Sequence, residues 1–171
     1  MPHEPEGLIM TKKNILIFLC TAGLVLLLDQ VTKLYVVSHF QLHESIPVIS
    51  GFFNLTYIRN PGAAFGFLSE ASPLFRGTFF SLVTLIAVGL ILYYLIENKV
   101  GDLWLLIPLA LVLAGALGNL VDRFRFGEVV DFLDLYIGTY HWPAFNIADS
   151  AISIGAFFLI VEMLKRRKED L

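Results

Sequence analysis

The segment NILIFLCTAGLVLLLDQVTKLYVV (residues 14–37) decides the fold class, because an α-helix crosses a bilayer with about 20 mainly apolar residues. Three later segments have the same character, at about 74–96, 103–121 and 143–164. The chain has 171 residues, of which 57% are hydrophobic and only 16% are charged. Soluble domains carry about 25% charged residues, so the composition favours a membrane environment. We predict an all-α membrane protein with four transmembrane helices.

The distribution of lysine and arginine predicts the orientation of these helices, because cytoplasmic ends are enriched in both residues. One predicted side carries Lys12, Lys13, Lys99 and the basic run 165–168, and the other carries Arg59, Arg76, Arg123 and Arg125. The two terminal clusters agree, so both termini are expected in the cytoplasm. The expected divisions are an N-terminal cytoplasmic tail (1–13), a four-helix membrane domain (14–165) and a basic C-terminal cytoplasmic tail (166–171).

The first apolar segment also has the features of a signal peptide, with Lys12 and Lys13 preceding the apolar residues 15–28. Polar residues follow it instead of a small-residue cleavage site, among them Asp29 and Lys33. The segment is therefore expected to remain in the protein as its first helix. Met1 and Met10 both stay open as the start of the chain.

The loop at about 38–73 has the features of a small sheet. Residues 52–58 are rich in aromatic and β-branched side chains, as strands are. The turn sequence Asn60-Pro61-Gly62 follows them. We predict a small sheet that lies on the membrane surface, on the side away from the cytoplasm.

Asp29 and Lys33 are ionisable residues inside the first predicted span. They are four residues apart, which places them on one helical face with the acid first, the favoured order for a pair. Such groups are costly in a membrane and usually face a protein interior or water. Two interpretations stay equally open: a charge pair that borders an active site, or a pair that anchors the end of the helix.

The end of the third predicted helix combines small and polar residues. Gly115 and Gly118 allow another helix to approach closely. Asn119 and Arg123 share one helical face, and an arginine can donate two parallel hydrogen bonds to a carboxylate or a carbonyl. The two side chains either cap the helix end or hold a substrate or a catalytic acid.

Asp131 and Asp149 form a candidate pair of catalytic carboxylates. Asp131 is bracketed by apolar residues, and low-dielectric surroundings raise the pKa of a carboxyl group. Asp149 is expected one turn after Asn146, on the same face of a helix that begins at Pro143, where the helix dipole favours a carboxylate. Taken alone, Asp149 would be a helix-start charge, but the other awkward polar residues lie at the same membrane face.

A pair of this kind is what aspartic proteolysis needs. One acid, ionised, takes a proton from the attacking water, while the other, protonated, donates to the scissile carbonyl. The surroundings favour Asp149 as the ionised member and Asp131 as the protonated one. The roles can exchange during turnover, so this assignment stays open. The neighbouring Asp122 and Asp134 have no assigned contribution.

Other chemistries have less support in the sequence. The net charge of −3 and the lack of a basic stripe argue against a nucleic-acid partner. His39, His43 and His141 are scattered and Cys20 is the single cysteine, so neither a metal site nor a cofactor is expected. Neither a phosphate-binding loop nor a nucleophilic-serine motif is present.

A transporter or proton channel is the main rival to an enzyme. It would need polar groups along a route through the membrane, whereas here they stop on one side, and the sequence shows no internal repeat. A structural membrane subunit would explain Gly115 and Gly118 but not the clustered acids.

Five ordered motifs resemble those of a known family, the bacterial lipoprotein signal peptidases (signal peptidase II). The motifs are Asp29-Gln30-Val31-Thr32-Lys33, Asn60-Pro61-Gly62-Ala63-Ala64-Phe65-Gly66, Gly118-Asn119-Leu120-Val121-Asp122-Arg123, Val130-Asp131-Phe132 and Phe145-Asn146-Ile147-Ala148-Asp149-Ser150. The resemblance covers nearly everything from about residue 14 to residue 165. It implies four transmembrane helices, a small extracytoplasmic β-cradle and an aspartic dyad at Asp131 and Asp149.

The resemblance also implies a substrate and a location. Family members remove the signal peptide from a diacylglyceryl-modified prolipoprotein, cutting just before the lipidated cysteine. The positions that match the family's supporting or substrate-binding residues are Asp29, Lys33, Asn60, Gly62, Asn119, Arg123 and Asn146. The implied setting is the bacterial inner membrane, with the site near the periplasmic face. The expected partners are the prolipoprotein, membrane lipid and globomycin-type inhibitors, and the expected working form is a monomer.

Overall fold

The computed structural model describes residues 11–62, 68, 70–97 and 101–169. Within them it has four long helices, which are α1 (Lys12–His39), α2 (Pro73–Glu97), α3 (Leu103–Phe126) and α4 (Ile147–Glu169). Each helix is long and apolar enough to cross a membrane. The four predicted spans are confirmed, and the chain is a multi-pass membrane protein. The predicted tails and the question of the start residue lie partly outside the described residues, at 1–10 and 170–171.

Local capping sets the ends of α1 and α3 and moves two predicted boundaries. α1 begins at Lys12, earlier than expected, because the Thr11 hydroxyl accepts a hydrogen bond from the Asn14 N–H at 3.2 Å. α3 continues past the predicted end and stops at Gly127, whose φ of 75° is left-handed. The Gly127 N–H donates to the Arg123 carbonyl oxygen at 2.9 Å, which completes the last turn.

The predicted start of the fourth helix at Pro143 is wrong, because α4 begins at Ile147. The residues before it are bonded to the sheet: the Phe145 N–H donates to the Leu133 carbonyl oxygen at 3.1 Å, and the Leu133 N–H donates back to Phe145 at 2.8 Å. A segment held in this extended pairing cannot also be helical. Asn146 therefore precedes the helix and does not lie on its face.

The four strands form one antiparallel sheet in the order β1-β2-β3-β4. They are β1 (Ser45–Ile49), β2 (Phe53–Asn60), β3 (Val129–Ile137) and β4 (Tyr140–His141). The small sheet predicted for the first long loop is thus confirmed, with β2 ending at Asn60, later than expected. The sheet is also larger than predicted, because β3 joins it from the connection between α3 and α4.

β3 carries Asp131, and the sequence did not identify it as a strand. Its first four residues, 129–132, are all buried, so the strand lacks the alternation of apolar and polar residues that marks a half-exposed strand. Its partner β2 is also distant in sequence, with Ile58 opposite Asp131. Neither feature is visible in the local pattern of residues.

α3 lies at the centre of the bundle and contacts each of the other three helices. Its buried face includes Leu106 and Leu113. The other helices expose large apolar side chains on their outer faces, among them Leu24, Leu90 and Ile160. Lipid tails solvate such side chains about as well as a protein core does, so this arrangement suits a membrane.

The close helix approach predicted at Gly115 and Gly118 is confirmed. A Cβ atom on Gly115 would fall on the carbonyl oxygen of Ala148 in α4. A Cβ atom on Gly118 would lie 2.5 Å from the Asp29 Oδ2 atom of α1. The two glycines therefore bring α1 and the first turn of α4 against α3, at the level of Asn119 and Asp149.

Candidate active site

Asp131 is buried in β3 and held by two amide side chains. The Asn60 Nδ2 donates to Asp131 Oδ2 at 2.8 Å, and the Asn146 Nδ2 donates to Asp131 Oδ1 at 2.7 Å. Burial, with the charge of Asp149 as the second cause, raises the pKa of Asp131 from 3.8 to about 7. The two amide bonds and the charge of Lys33 oppose this rise. Asp131 can therefore keep a proton close to neutral pH.

Asp149 sits in the first turn of α4, as the sequence predicted, and forms a reciprocal cap with Asn146. The Asp149 N–H donates to Asn146 Oδ1 at 2.9 Å, and the Asn146 N–H donates to Asp149 Oδ2 at 3.2 Å. The Asn119 Nδ2 donates to the other carboxylate oxygen, Oδ1, at 2.7 Å. Both oxygens of Asp149 thus have donors that fix its orientation.

Asn146 connects the two aspartates. Its side chain donates to Asp131 while its backbone N–H donates to Asp149. Its Nδ2 also contacts the Val130 carbonyl oxygen at 3.1 Å and Asn119 Oδ1 at 3.2 Å, and the residue is fully buried. One residue at the junction of sheet and helix therefore sets the relative position of both carboxylates.

Gly62 and Asn60 act together at the end of β2. The Gly62 N–H donates to Asn60 Oδ1 at 3.0 Å, which is the hydrogen bond of an Asx turn. This bond fixes the Asn60 amide so that its Nδ2 points at Asp131. The turn predicted from Asn60-Pro61-Gly62 therefore has a direct role in holding the first aspartate, and the rest of that motif, residues 63–66, lies outside the described residues.

Lys33 decides between the two interpretations of the charge pair in α1. Its Nζ lies 2.9 Å from Asp29 Oδ2, 2.9 Å from Asp122 Oδ2 and 2.9 Å from Asn119 Oδ1. An ammonium group has three N–H donors, so all three are used. Because Asn119 in turn binds Asp149, the pair borders the candidate site and does not merely anchor a helix end.

Gln30 and Asp122 also contact the charged groups of the site, although the sequence analysis assigned Asp122 no contribution and Gln30 none beyond its place in a motif. Gln30 Nε2 lies 3.1 Å from Asp29 Oδ2, 3.2 Å from Asp122 Oδ1 and 3.2 Å from the Gly118 carbonyl oxygen, so its two N–H donors are shared among three acceptors. The signal was present, because Gln30 is a polar residue inside an apolar span and lies next to Asp29. Its partner Asp122 lies on another helix, so spacing within one helix could not connect them.

A cavity of about 640 Å³ is lined by Asp149 and by Asn60, the residue whose amide binds Asp131. Its polar lining includes Asn60, Asn119, Arg123 and Asp149, and its apolar lining includes Phe80, Val129, Trp142, Pro143, Phe145, Ile152 and Ile154. The Arg123 guanidinium lies 5.0 Å from the centre of the Phe80 ring and interacts electrostatically with both Asp131 and Asp149. Arg123 thus lines the cavity, and its role in holding a substrate or a catalytic acid stays a prediction.

Asp134 lies in the same strand but belongs to a separate group. Its carboxylate accepts from Asn54 Nδ2 at 2.8 Å and contacts His141 Nδ1 at 2.8 Å. Across the part of the chain that the structure describes, no three His, Cys, Asp or Glu side chains are arranged to hold a metal ion. The expectation of a metal-free site stays a prediction.

The chain is similar to known bacterial membrane proteins over most of its length. The family model described as signal peptidase (SPase) II matches residues 21–165. The lipoprotein signal peptidase of Syntrophus aciditrophicus (strain SB) is 74% identical over 158 residues, which are 92% of this chain and 98% of that protein. The lipoprotein signal peptidase of Geobacter sulfurreducens is 49% identical over 84% of this chain and 88% of its own.

Solved structures share the same fold. A bacterial membrane enzyme determined by the in meso method at 2.3 Å resolution aligns with a TM-score of 0.82 and 36% identity, covering 98% of this chain and 97% of its own. A second bacterial membrane enzyme, determined at 1.9 Å, aligns with a TM-score of 0.79 and 34% identity over 95% of this chain and 99% of its own.

Proposed function

The chain belongs to the signal peptidase II family, whose members are proteases, and we propose that it removes the signal peptide from bacterial prolipoproteins. The observation that carries the proposal is Asn146, which binds both Asp131 and Asp149 beside a cavity among the helices. Two carboxylates held in this way, one with its pKa raised to about 7, suit an aspartic endopeptidase.

The proposed reaction is hydrolysis of one peptide bond. The ionised acid removes a proton from water, and the oxygen of that water attacks the scissile carbonyl carbon. The protonated acid donates to the carbonyl oxygen, which gives a neutral tetrahedral species. As this species collapses, the C–N bond breaks and the acid that took the water proton donates it to the leaving amine nitrogen. The other carboxylate takes a proton from one hydroxyl group of the species, which becomes the new carboxyl group. Asp131 with its raised pKa is the better first donor, and the pair regains one shared proton at the end of the cycle.

The cavity supports a lipid-bearing peptide as substrate. Its apolar wall, with Phe80, Ile152 and Ile154, suits acyl chains, and its polar side carries Asp149 and Arg123. Arg123 and Asn119 lie where they can bind carbonyl groups of the peptide. The proposed substrate is a diacylglyceryl-modified prolipoprotein, cut just before the lipidated cysteine. Anchoring the lipid would hold the scissile bond near the dyad, and such proximity supplies a large part of many rate enhancements.

The proposed location is the bacterial inner membrane, with residues 14–165 as the peptidase domain. The site and the sheet would face the periplasm and both termini the cytoplasm, because the basic residues at the two chain ends lie at the opposite end of the bundle. A single chain contains the whole candidate site, which supports a monomer as the working form. Membrane lipid and globomycin-type inhibitors are the further proposed ligands.

The test of this function is cleavage by the purified protein in lipid vesicles. We expect it to cut a diacylglyceryl-modified precursor before the modified cysteine and to leave the same precursor with an unmodified cysteine uncut. EDTA should leave the rate unchanged, since no step uses a metal. Zinc-dependent cleavage, or ion flux without any cleavage, would contradict the proposal.

A pH profile tests the protonation of the dyad. Because Asp131 keeps its proton up to about pH 7, kcat/KM should fall above that pH by about tenfold per unit as the pair becomes doubly ionised. This carboxyl's contribution to stability has the same direction: it is full below pH 3.8 and is lost as the pH rises through about 7. Thermal unfolding at each pH separates the two effects. A rate that stays constant from about pH 7 to about pH 9 would show that no protonated acid of this pKa takes part.

A further inference from the structure

We propose that Asp122 is a positioning residue for Asp131. It acts together with Asp29 and Lys33, and we call these three residues the Lys33 cluster. The inference rests on the proposed peptidase function and extends it to residues that do not touch the substrate. Two hydrogen bonds have the same place relative to the two aspartates of the dyad.

Each acid of the Lys33 cluster binds the backbone amide that comes directly before one aspartate of the dyad. Asp29 Oδ1 accepts from the Ala148 N–H at 2.9 Å, next to Asp149. Asp122 Oδ2 accepts from the Val130 N–H at 3.1 Å, next to Asp131. Neither bond belongs to regular secondary structure, since each joins a side chain to the backbone of a different element.

Lys33 joins these two acids through one ammonium group, at 2.9 Å from each. Gln30 makes a second connection, because its amide donates to both Asp29 and Asp122. The start of α4 and the start of β3 are thereby fixed to the same point between α1 and α3. The separation of the two catalytic carboxylates depends on that shared point.

Because the Lys33 cluster is buried, we infer that its main contribution is to position β3 and α4 and not to stabilise the fold. Asp29 and Asp122 are 0% exposed and Lys33 is 2% exposed. Apolar residues of similar volume often stabilise a protein as much as a buried ion pair does, because the charges must be desolvated. Apolar residues cannot accept hydrogen bonds from the N–H groups of Ala148 and Val130. Gly118, which has no room for a Cβ, keeps the space that Asp29 needs.

Precise spacing is what the proposed reaction needs. A displacement of about 1 Å in a reacting group costs on the order of 100-fold in rate, even when the mutation is distant from the chemistry. Asp131 and Asp149 come from a strand and a helix, and Asn146 contacts both carboxylates directly. The Lys33 cluster holds the same two elements through the backbone amides of Ala148 and Val130.

The experiment compares Asp122→Asn with Asp102→Asn in vesicles, using the diacylglyceryl-modified precursor. Asp102 is a matched control because it lies at the other end of α3 and also binds a backbone N–H (Trp104, 2.9 Å) and a cation (Arg166, 2.6 Å). We expect Asp122→Asn to lower kcat by about 10- to 100-fold with KM changed less than about threefold. Asp102→Asn should keep kcat within about twofold of wild type.

A second variant keeps the test valid if Asp122→Asn does not insert. Gln30→Ala removes the second connection between the two acids from a half-buried position, and we expect kcat to fall by about threefold to tenfold with KM unchanged. Thermal unfolding is measured for every variant, so a loss of kcat that merely follows a loss of folded protein is recognised and counts against the proposal.

The outcomes separate this proposal from the one on which it rests. If the wild type cleaves and Asp122→Asn retains its kcat, or raises only KM, Asp122 does not position Asp131. An equal loss in Asp122→Asn and Asp102→Asn would mean general damage and would also overturn the proposal. Wild-type protein without any cleavage would instead refute the peptidase function itself, and the positioning role with it.

Discussion

Asp131→Asn and Asp149→Asn are each expected to lower the rate of cleavage of a lipidated precursor by on the order of 10⁴-fold or more. An amide can neither take the proton of the attacking water nor supply one to the scissile carbonyl. It also places an NH₂ group where Asn60, Asn119 or Asn146 already donates, so one hydrogen bond is lost in either variant. The measurement is single-turnover cleavage by purified protein in vesicles, with membrane insertion checked separately.

Asp134→Asn is the matched control for this pair. Asp134 lies in the same strand as Asp131, is nearly as buried and also accepts from an asparagine amide, that of Asn54. The Asp134→Asn variant should keep its cleavage rate within about threefold of wild type, since Asp134 belongs to a separate group of side chains. The double variant should be no slower than either single one, because residues that act as a unit are not additive. Near wild-type turnover in Asp131→Asn or Asp149→Asn would remove the dyad from the mechanism.

The helices and the two aspartates could be predicted because their signals are local. An apolar run of more than 20 residues has few alternatives to a membrane span, as residues 14–37 illustrate. Asp131 has a local signal because it is an acid among apolar residues, and Asp149 has one because it is an acid expected in a first helical turn. The structure brings both acids to one site, together with Asn60, Asn119, Arg123 and Asn146.

What the sequence could not predict depends on contacts between distant residues. β3 was missed because its first four residues are all buried and because it pairs with β2, more than 60 positions earlier in the chain. The start of α4 was misplaced because Phe145 pairs with Leu133, a contact that a favourable Pro143 cannot reveal. The contacts of Asp122 also stayed hidden, since its partners Lys33 and Val130 lie on other elements.

The corrected start of α4 changes the role of Asn146. As a residue on a helical face it would be one more polar neighbour of Asp149. As the cap that precedes the helix, it accepts the Asp149 N–H with its side-chain Oδ1 and donates to Asp131 with its side-chain Nδ2. The same side chain therefore caps the first turn of α4 and holds Asp131.

Asn146→Ala should consequently cause two separable losses. Removal of the donor to Asp131 is expected to lower kcat by about 10²- to 10³-fold, the usual range for an oriented hydrogen-bond donor at an active site. Loss of the cap should lower the free energy of unfolding by about 1 kcal/mol. Steady-state cleavage in vesicles gives the first quantity, and thermal unfolding in detergent gives the second.

Asn146→Ser separates these two contributions, because serine caps a helix about as well as asparagine. Its Oγ occupies the place of the asparagine Cγ, so it can accept the Asp149 N–H but stops one bond short of Asp131. We expect Asn146→Ser to regain most of the stability that Asn146→Ala loses while its kcat stays low. Recovery of kcat in step with stability would mean that Asn146 acts only as a cap. Low kcat in a stable protein would mean that the amide bond to Asp131 aligns the dyad for catalysis.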